Sequence, residues 1–227
     1  MNTNSDRITE LIKFCDEKFK LFKSLFLLEE QNHWKFVEER DNIVIHSKLD
    51  EETGLHYIRA EGEVKAPAKK VYELLDDETR VLEWDRTIES ANLVEKIGFL
   101  KFSYLVAKKP APLVDRRDMI LLSNKYEDTD GKIFLIGATY PHPKYPIQQS
   151  PVRCKIPIGG WAIIPNQKDP NISTIVYTGL VDPSGWVPKP VVNAFSIHQA
   201  MNVREVRNLL EGTKNNHHNT YSSHLHL

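Results

Sequence analysis

Polar side chains able to do chemistry are few in this 227-residue chain, and they are scattered. Arg117 stands beside Asp118 in RRDMILLSNKY. A guanidinium grips phosphate oxygens bidentately, which makes Arg117 a candidate anion ligand; a strand-end ion pair is the other reading, and for Asp118 it is the preferred one. His142 falls in the Pro-rich stretch YPHPKYP and His198 in the last amphipathic segment, neither with an assignable partner. General acid–base or nucleophilic catalysis needs such a partner within hydrogen-bond reach. His217, His218, His224 and His226 lie in the polar run KNNHHNTYSSHLHL, where a histidine tract without an ordered shell is poor evidence for a metal. No metal or other cofactor is expected, and the sequence carries no G-x-S-x-G, H-E-x-x-H, P-loop or G-x-G-x-x-G fingerprint.

A chemistry of interfaces is written more plainly. In DPSGWVPKPVV, residues 182–192, Trp186 sits between Gly185 and the pair Pro188-x-Pro190. Indole is a large apolar ring with one N–H, suited to a boundary that is half oily and half wet. It is either folded back as a core plug or offered to something apolar outside the protein.

The elements that must hold these residues follow from periodicity. Residues 6–28 place Ile8, Leu11, Ile12, Cys15, Phe19, Phe22 and Phe26 at steps of three and four, an amphipathic helix. Residues 34–38, 43–49 and 55–65 read as strands, with alternation in YIRAEGEV as half-buried antiparallel strands require. Pro67 opens a short helix to about Asp77, and Trp84-Asp85 falls in a helical turn or loop. About six further strands run from Ile88 to Val181 between turn signals such as Glu-Asp-Thr-Asp-Gly. A last helix from about Pro188 to Leu210 puts Val192, Phe195, Gln199, Val203, Val206 and Leu210 on one face, with Arg204, Glu205 and Arg207 on the other. Strands in consecutive runs with helices at the ends predict an α+β architecture, and a curved sheet against a long helix leaves a hollow that can house a ligand.

Thirty basic and 31 acidic residues leave no basic excess for phosphate neutralisation, so nucleic acid is not an expected partner. Only Cys15 and Cys154 are present, which fits a reducing compartment and predicts a cytoplasmic location. The apolar residues of the first thirty positions are interrupted by Lys and Glu, Asn stands at position 2 and no prenylation Cys ends the chain. Neither a signal peptide, a membrane span nor a lipid anchor is expected, and membrane contact should be peripheral and transient.

From about Trp34 to Glu211 the chain resembles the StAR-related lipid-transfer (START) domain family, in the branch that looks like phosphatidylcholine-transfer protein. The resemblance rests on Trp34-x-x-Val37, on VYELLDDETRVLEWDRTIESANLVEKI with its Trp84-Asp85, on Arg117-Asp118 after a Pro-rich loop, on GGWAIIP at 159–165, and above all on DPSGWVPKPVVNAF at 182–195. It implies a helix-grip fold: a curved nine-stranded antiparallel sheet gripping the C-terminal helix over a hydrophobic tunnel for one lipid. Residues 1–30 would be an amphipathic helix of the same domain, 31–211 the lipid-binding domain, and 212–227 a polar, disordered tail.

The same resemblance implies a non-enzymatic, monomeric carrier that transfers a lipid between membranes, with a phospholipid the expected cargo. Where the cholesterol-carrying branch has an Arg paired with an acidic residue, this chain has Ser123 and Tyr104, so a headgroup site around Tyr104, Arg117, Ser123 and Tyr140 is expected, with Phe195, Gln199 and Val203 contributed by the helix. Gln199 could instead be a satisfied residue at the core margin. The loops 107–115 and 182–188 would close the mouth, with Pro110, Pro112, Leu113, Trp186 and Val187 as membrane-docking lips flanked by Lys108, Lys109, Arg116, Arg117 and Lys189. The alternatives are a lipid-sensing regulatory module and an enzyme acting on a hydrophobic substrate in the cavity.

Overall fold

The structure, a computed structural model, describes residues 4–29, 33–109, 111 and 113–213. Helix α1 (Asn4–Phe26) buries Leu11, Cys15, Phe22, Leu25 and Phe26, the stripe its three- and four-residue spacing demands. Ten strands follow: β1 (Lys35–Arg40), β2 (Ile43–Leu49), β3 (His56–Val64), β4 (Ile88–Ile97), β5 (Leu100–Ala107), β6 (Arg117–Glu127), β7 (Ile133–Thr139), β8 (Val152–Arg153), β9 (Lys155–Pro165) and β10 (Ser173–Asp182). Nine of them run in the antiparallel order β1-β2-β3-β10-β9-β7-β6-β5-β4, and the two-residue β8 adds to β6 in parallel. The expected count of nine therefore holds for the antiparallel path. The tenth strand arises because VRCKIPIGGWAII changes partner at the buried Cys154: the Val152 and Cys154 N–H groups bond the Arg116 and Asp118 carbonyls in the parallel pairing with β6, whereas from Lys155 onward the chain pairs with β10.

Between β3 and β4 lie α2 (Ala68–Leu75), a 3-10 turn (Glu78–Arg80) and α3 (Val81–Trp84). Pro67 precedes α2 with φ −59°, a ring geometry already suited to the first turn. Asp41 and Asn42 both adopt positive φ in the two-residue β1–β2 connection, as a type I′ hairpin requires.

Both faces of the sheet are covered, which is why strands such as β6 read as nearly continuous apolar runs. Alternate residues divide between two cores: Met119 and Leu121 join the cluster under the C-terminal helix α4 (Lys189–Glu211), whereas Ile120 and Leu122 pack with Leu11 and Cys15 of α1. Helix α4 ends at Gly212, whose φ of 68° is the left-handed cap that favours glycine.

Along α4 the burial is unequal. Ala200, Met201, Asn202, Val203, Glu205 and Val206 are buried, while 190–199 are half-buried or exposed. Val203 seats over Gly62 of β3, where an added Cβ would stand 3.2 Å from Val203 Cγ1 and closer still to Ile43. The C-terminal half is thereby fastened to the sheet. Glu205, expected on the outer face, is buried instead, because Arg204 at 2.6 Å and Arg86 at 3.6 Å hold its carboxylate.

Candidate binding cavity

A cavity of about 210 Å³ lies between the concave face of the sheet, the α2–α3 segment and α4. Its walls are mainly apolar: Ile88 and Ala91 from β4, Leu105 from β5, Met119 and Leu121 from β6, Ile156 and Trp161 from β9, Val181 from β10. Leu75, Val81 and Trp84 close one side and Phe195, Gln199 and Asn202 of α4 the other. Trp84 meets Trp161 edge-on at 5.7 Å and Trp161 lies 5.2 Å from Tyr177, a ridge of rings along the floor.

Three of the seven sequence-predicted binding residues line this space: Ser123, Phe195 and Gln199. Gln199 accepts from the Tyr177 hydroxyl at 3.3 Å and donates to Thr87 Oγ1 at 3.2 Å and Asp85 Oδ2 at 3.4 Å, so it straps α4 across the cavity while lining it. Burial, reinforced by the Asp85 charge, raises the Tyr177 phenol far above its ordinary value and keeps it a neutral donor. Two further donors of the wall residues, Trp84 Nε1 and Asn202 Nδ2, have no partner among the described residues.

The other four stand elsewhere. Tyr104 and Tyr140 are on the convex face, because residues one apart on a strand point to opposite sides and the expected register was one residue out. Tyr104 stacks on Tyr145 at 4.1 Å and donates to Asp118 Oδ2 at 3.0 Å; burial and that carboxylate push its phenol up to about 12. Tyr140 donates to Glu10 of α1 at 2.7 Å. Val203 is spent on the Gly62 seat, and Arg117 on the carbonyls of two loops. Asp118 does have an ion-pair partner, but it is Arg153 of β8, bidentate at 2.7 and 2.9 Å, since Arg117 and Asp118 face opposite ways. Nothing in the sequence marked Arg153, whose role depends on the parallel β6–β8 contact.

At the start of β6, Arg117 is 5% exposed and gives all its visible bonds to main-chain carbonyls: Asp115 in one loop, and Pro183, Ser184 and Trp186 in the other. One guanidinium thus ties the two loops together and is not open to a phosphate. Above it Trp186 is 73% exposed and Leu113 92% exposed, with Val187 half-buried; the plug reading of Trp186 does not describe its position. Lys108 and Lys109 are exposed, Arg116 pairs with Glu89 at 3.3 Å, and the side chain of Lys189 lies outside the description. Pro110 and Pro112 lie outside the described residues, as does the histidine tail.

The sequence reading missed the most strongly charged part of the cavity. Lys101, near the start of β5, lines it and meets Asp76 and Glu78 from the end of α2 and the 3-10 turn, at 2.6 and 3.1 Å. A lone Lys in an alternating strand reads as a solvated residue, and DDET reads as a helix end. Among the described residues no metal-binding cluster of His, Cys, Asp and Glu occurs, and no helix is long and apolar enough to cross a membrane.

Comparison with known proteins agrees with this geometry. START domain-containing protein 10 of Homo sapiens is 28% identical over 184 residues, 80% of this chain and 61% of that protein. The mitochondrial steroidogenic acute regulatory protein of Danio rerio is 26% identical over 177 residues, 76% of this chain and again 61% of the relative, so the chain spans about three-fifths of the length of both. Among solved structures, human StAR-related lipid transfer protein 5 matches with a TM-score of 0.78 at 18% identity, over 92% of this chain and 99% of that one, a likeness of fold. The family model for the START domain matches residues 21–212, a span that takes in every strand and the whole of α4: the chain belongs to the START domain family.

Proposed function

We propose that this chain is a noncovalent carrier that holds one lipid in the cavity under α4 and transfers it between membranes, acting as a monomer in the cytoplasm. The observation that carries the reading is the apolar cavity itself, enclosed by the sheet and α4 in a chain whose family includes proteins named for lipid transfer. Passing two long acyl chains through water costs roughly 0.8 kcal/mol per methylene, well over 20 kcal/mol in all. An apolar cavity removes most of that cost, so the protein's task is to open and close.

The gate we propose is the N-terminal half of α4 with the two loops joined by Arg117. At about 210 Å³ the cavity is below the roughly 300–1,000 Å³ of sites for drug-sized ligands. A diacyl lipid therefore enters as residues 190–199 and the loops move outward, pivoting on the half of α4 fastened at Gly62. Trp186 and Leu113 are the lips that enter the membrane, and Lys108 and Lys109 favour an anionic surface. The cargo we propose is a phospholipid.

The test is incubation of the full chain with phospholipid vesicles, re-isolation, and native mass spectrometry. One lipid per chain is the expected result; a protein that emerges without lipid would overturn the reading.

A further inference from the structure

Building on the cavity as a lipid site, we infer that its charged end, Lys101 with Asp76 and Glu78, selects the polar terminus of the cargo, and that it takes a hydrogen-bond donor: a primary ammonium or a hydroxyl group. The Lys101 side chain is 8% exposed. Its three ammonium protons meet three acceptors: Asp76 Oδ1 at 2.6 Å, Glu78 Oε1 at 3.1 Å and the Asp76 carbonyl at 2.5 Å. The lysine is saturated. A phosphate or carboxylate could reach it only by displacing one of these.

Acceptors, by contrast, are in surplus. Two carboxylates face one ammonium, so the cluster carries a formal charge of one minus two, or −1. Asp76 Oδ2 takes the Tyr72 hydroxyl at 3.1 Å and Glu78 Oε1 takes Ser103 Oγ at 3.2 Å, but Glu78 Oε2 has no partner among the described residues. Ser123 stands directly across from Lys101 in the β5–β6 register and adds a hydroxyl to the same wall. At the rim of this end Phe99 is 67% exposed.

A buried ion triad that only fastened α2 to β5 would be matched or bettered by apolar residues of similar volume. Its place on the wall of a mainly apolar cavity is accounted for by contact with a cargo whose outermost polar group turns a donor, and not an anionic oxygen, toward the carboxylates.

The test uses the full chain and vesicles with equal amounts of phosphatidylethanolamine, diacylglycerol, phosphatidylcholine and phosphatidic acid of matched chains, followed by native mass spectrometry of the re-isolated protein. Phosphatidylethanolamine, with an ammonium, or diacylglycerol, with a hydroxyl, is expected at roughly tenfold enrichment over phosphatidylcholine, whose quaternary nitrogen has no N–H, and over anionic phosphatidic acid. Enrichment of phosphatidylethanolamine identifies the donor as an ammonium and keeps the phospholipid cargo; enrichment of diacylglycerol identifies it as a hydroxyl and replaces the phospholipid with a neutral glycerolipid in the same carrier. Glu78→Gln, which keeps the shape and removes the charge, should lower the phosphatidylethanolamine-to-diacylglycerol ratio several-fold while circular dichroism stays unchanged. Equal uptake of all four lipids, or Glu78→Gln ratios identical to those of the parent chain, would overturn the inference and leave the carrier reading standing. Absence of any bound lipid would overturn both.

Discussion

Arg117 concentrates in one side chain the difference between what a residue type permits and what its surroundings require. Its guanidinium could serve a phosphate, yet four loop carbonyls occupy it. Arg117→Met should leave those carbonyls short of a donor, lower stability by about 2–4 kcal/mol in denaturant unfolding, and speed hydrogen exchange in both loops together. Trp186 is the opposite case, a large ring that the fold leaves in solvent. Trp186→Ala should slow vesicle-to-vesicle transfer roughly tenfold with an unchanged circular dichroism spectrum; an unaltered rate would remove Trp186 from membrane docking. At the other end of the molecule, Arg7 donates to both oxygens of Glu95 at 2.8 and 2.6 Å, and with His142 at 3.1 Å it lowers that carboxyl from its ordinary 4.5 to about 2. A depressed carboxylate contributes fully above its unfolded value and loses that contribution as pH falls through the folded one, here between about pH 4.5 and about pH 2. Glu95→Gln should therefore be less stable than the parent at neutral pH and converge with it toward pH 2, as followed by thermal unfolding across that range.

Elements were far more legible than the directions of their side chains. Strand β4 was readable to its ends in IESANLVEKI, and α1 and α4 to within two residues, because hydrophobic period and turn signals survive without tertiary information. Facing did not survive. With both faces of β5 and β6 buried, polarity gives no parity, and β4 adds two register shifts against β5, so Tyr104 was read as facing inward when Lys101, Ser103 and Leu105 do. The two halves of α4 were likewise indistinguishable in a sequence whose apolar stripe runs on past its one polar interruption at Gln199, since the anchoring of one half depends on Gly62, 141 positions away from Val203. Close approach recurs at Gly160, where a Cβ would stand 2.3 Å from the Leu135 carbonyl oxygen and 2.9 Å from Ile136 Cα. Both are backbone atoms of the paired strand β7 and cannot yield cheaply. Gly160→Ala should cost about 1–3 kcal/mol of stability in denaturant unfolding, with β7 and β9 the first strands to lose hydrogen-exchange protection.

For the whole molecule, the carrier we propose is a container with one fixed wall and one that opens. In that proposal the sheet and the buried C-terminal half of α4 are the fixed side, and residues 190–199, with the loops tied by Arg117 and the exposed Trp186 and Leu113, are the side that must move, which requires release of the Gln199 and Arg117 hydrogen bonds. Such a division would give a lipid a way in beside a membrane and an oily enclosure away from it. The central claim is tested most directly by the rate at which a fluorescent phospholipid passes from donor to acceptor vesicles in the presence of the full chain. Acceleration over protein-free vesicles that rises in proportion to protein, at far fewer chains than lipids, is expected of a carrier that cycles. A rate no different from that of the vesicles alone would contradict it.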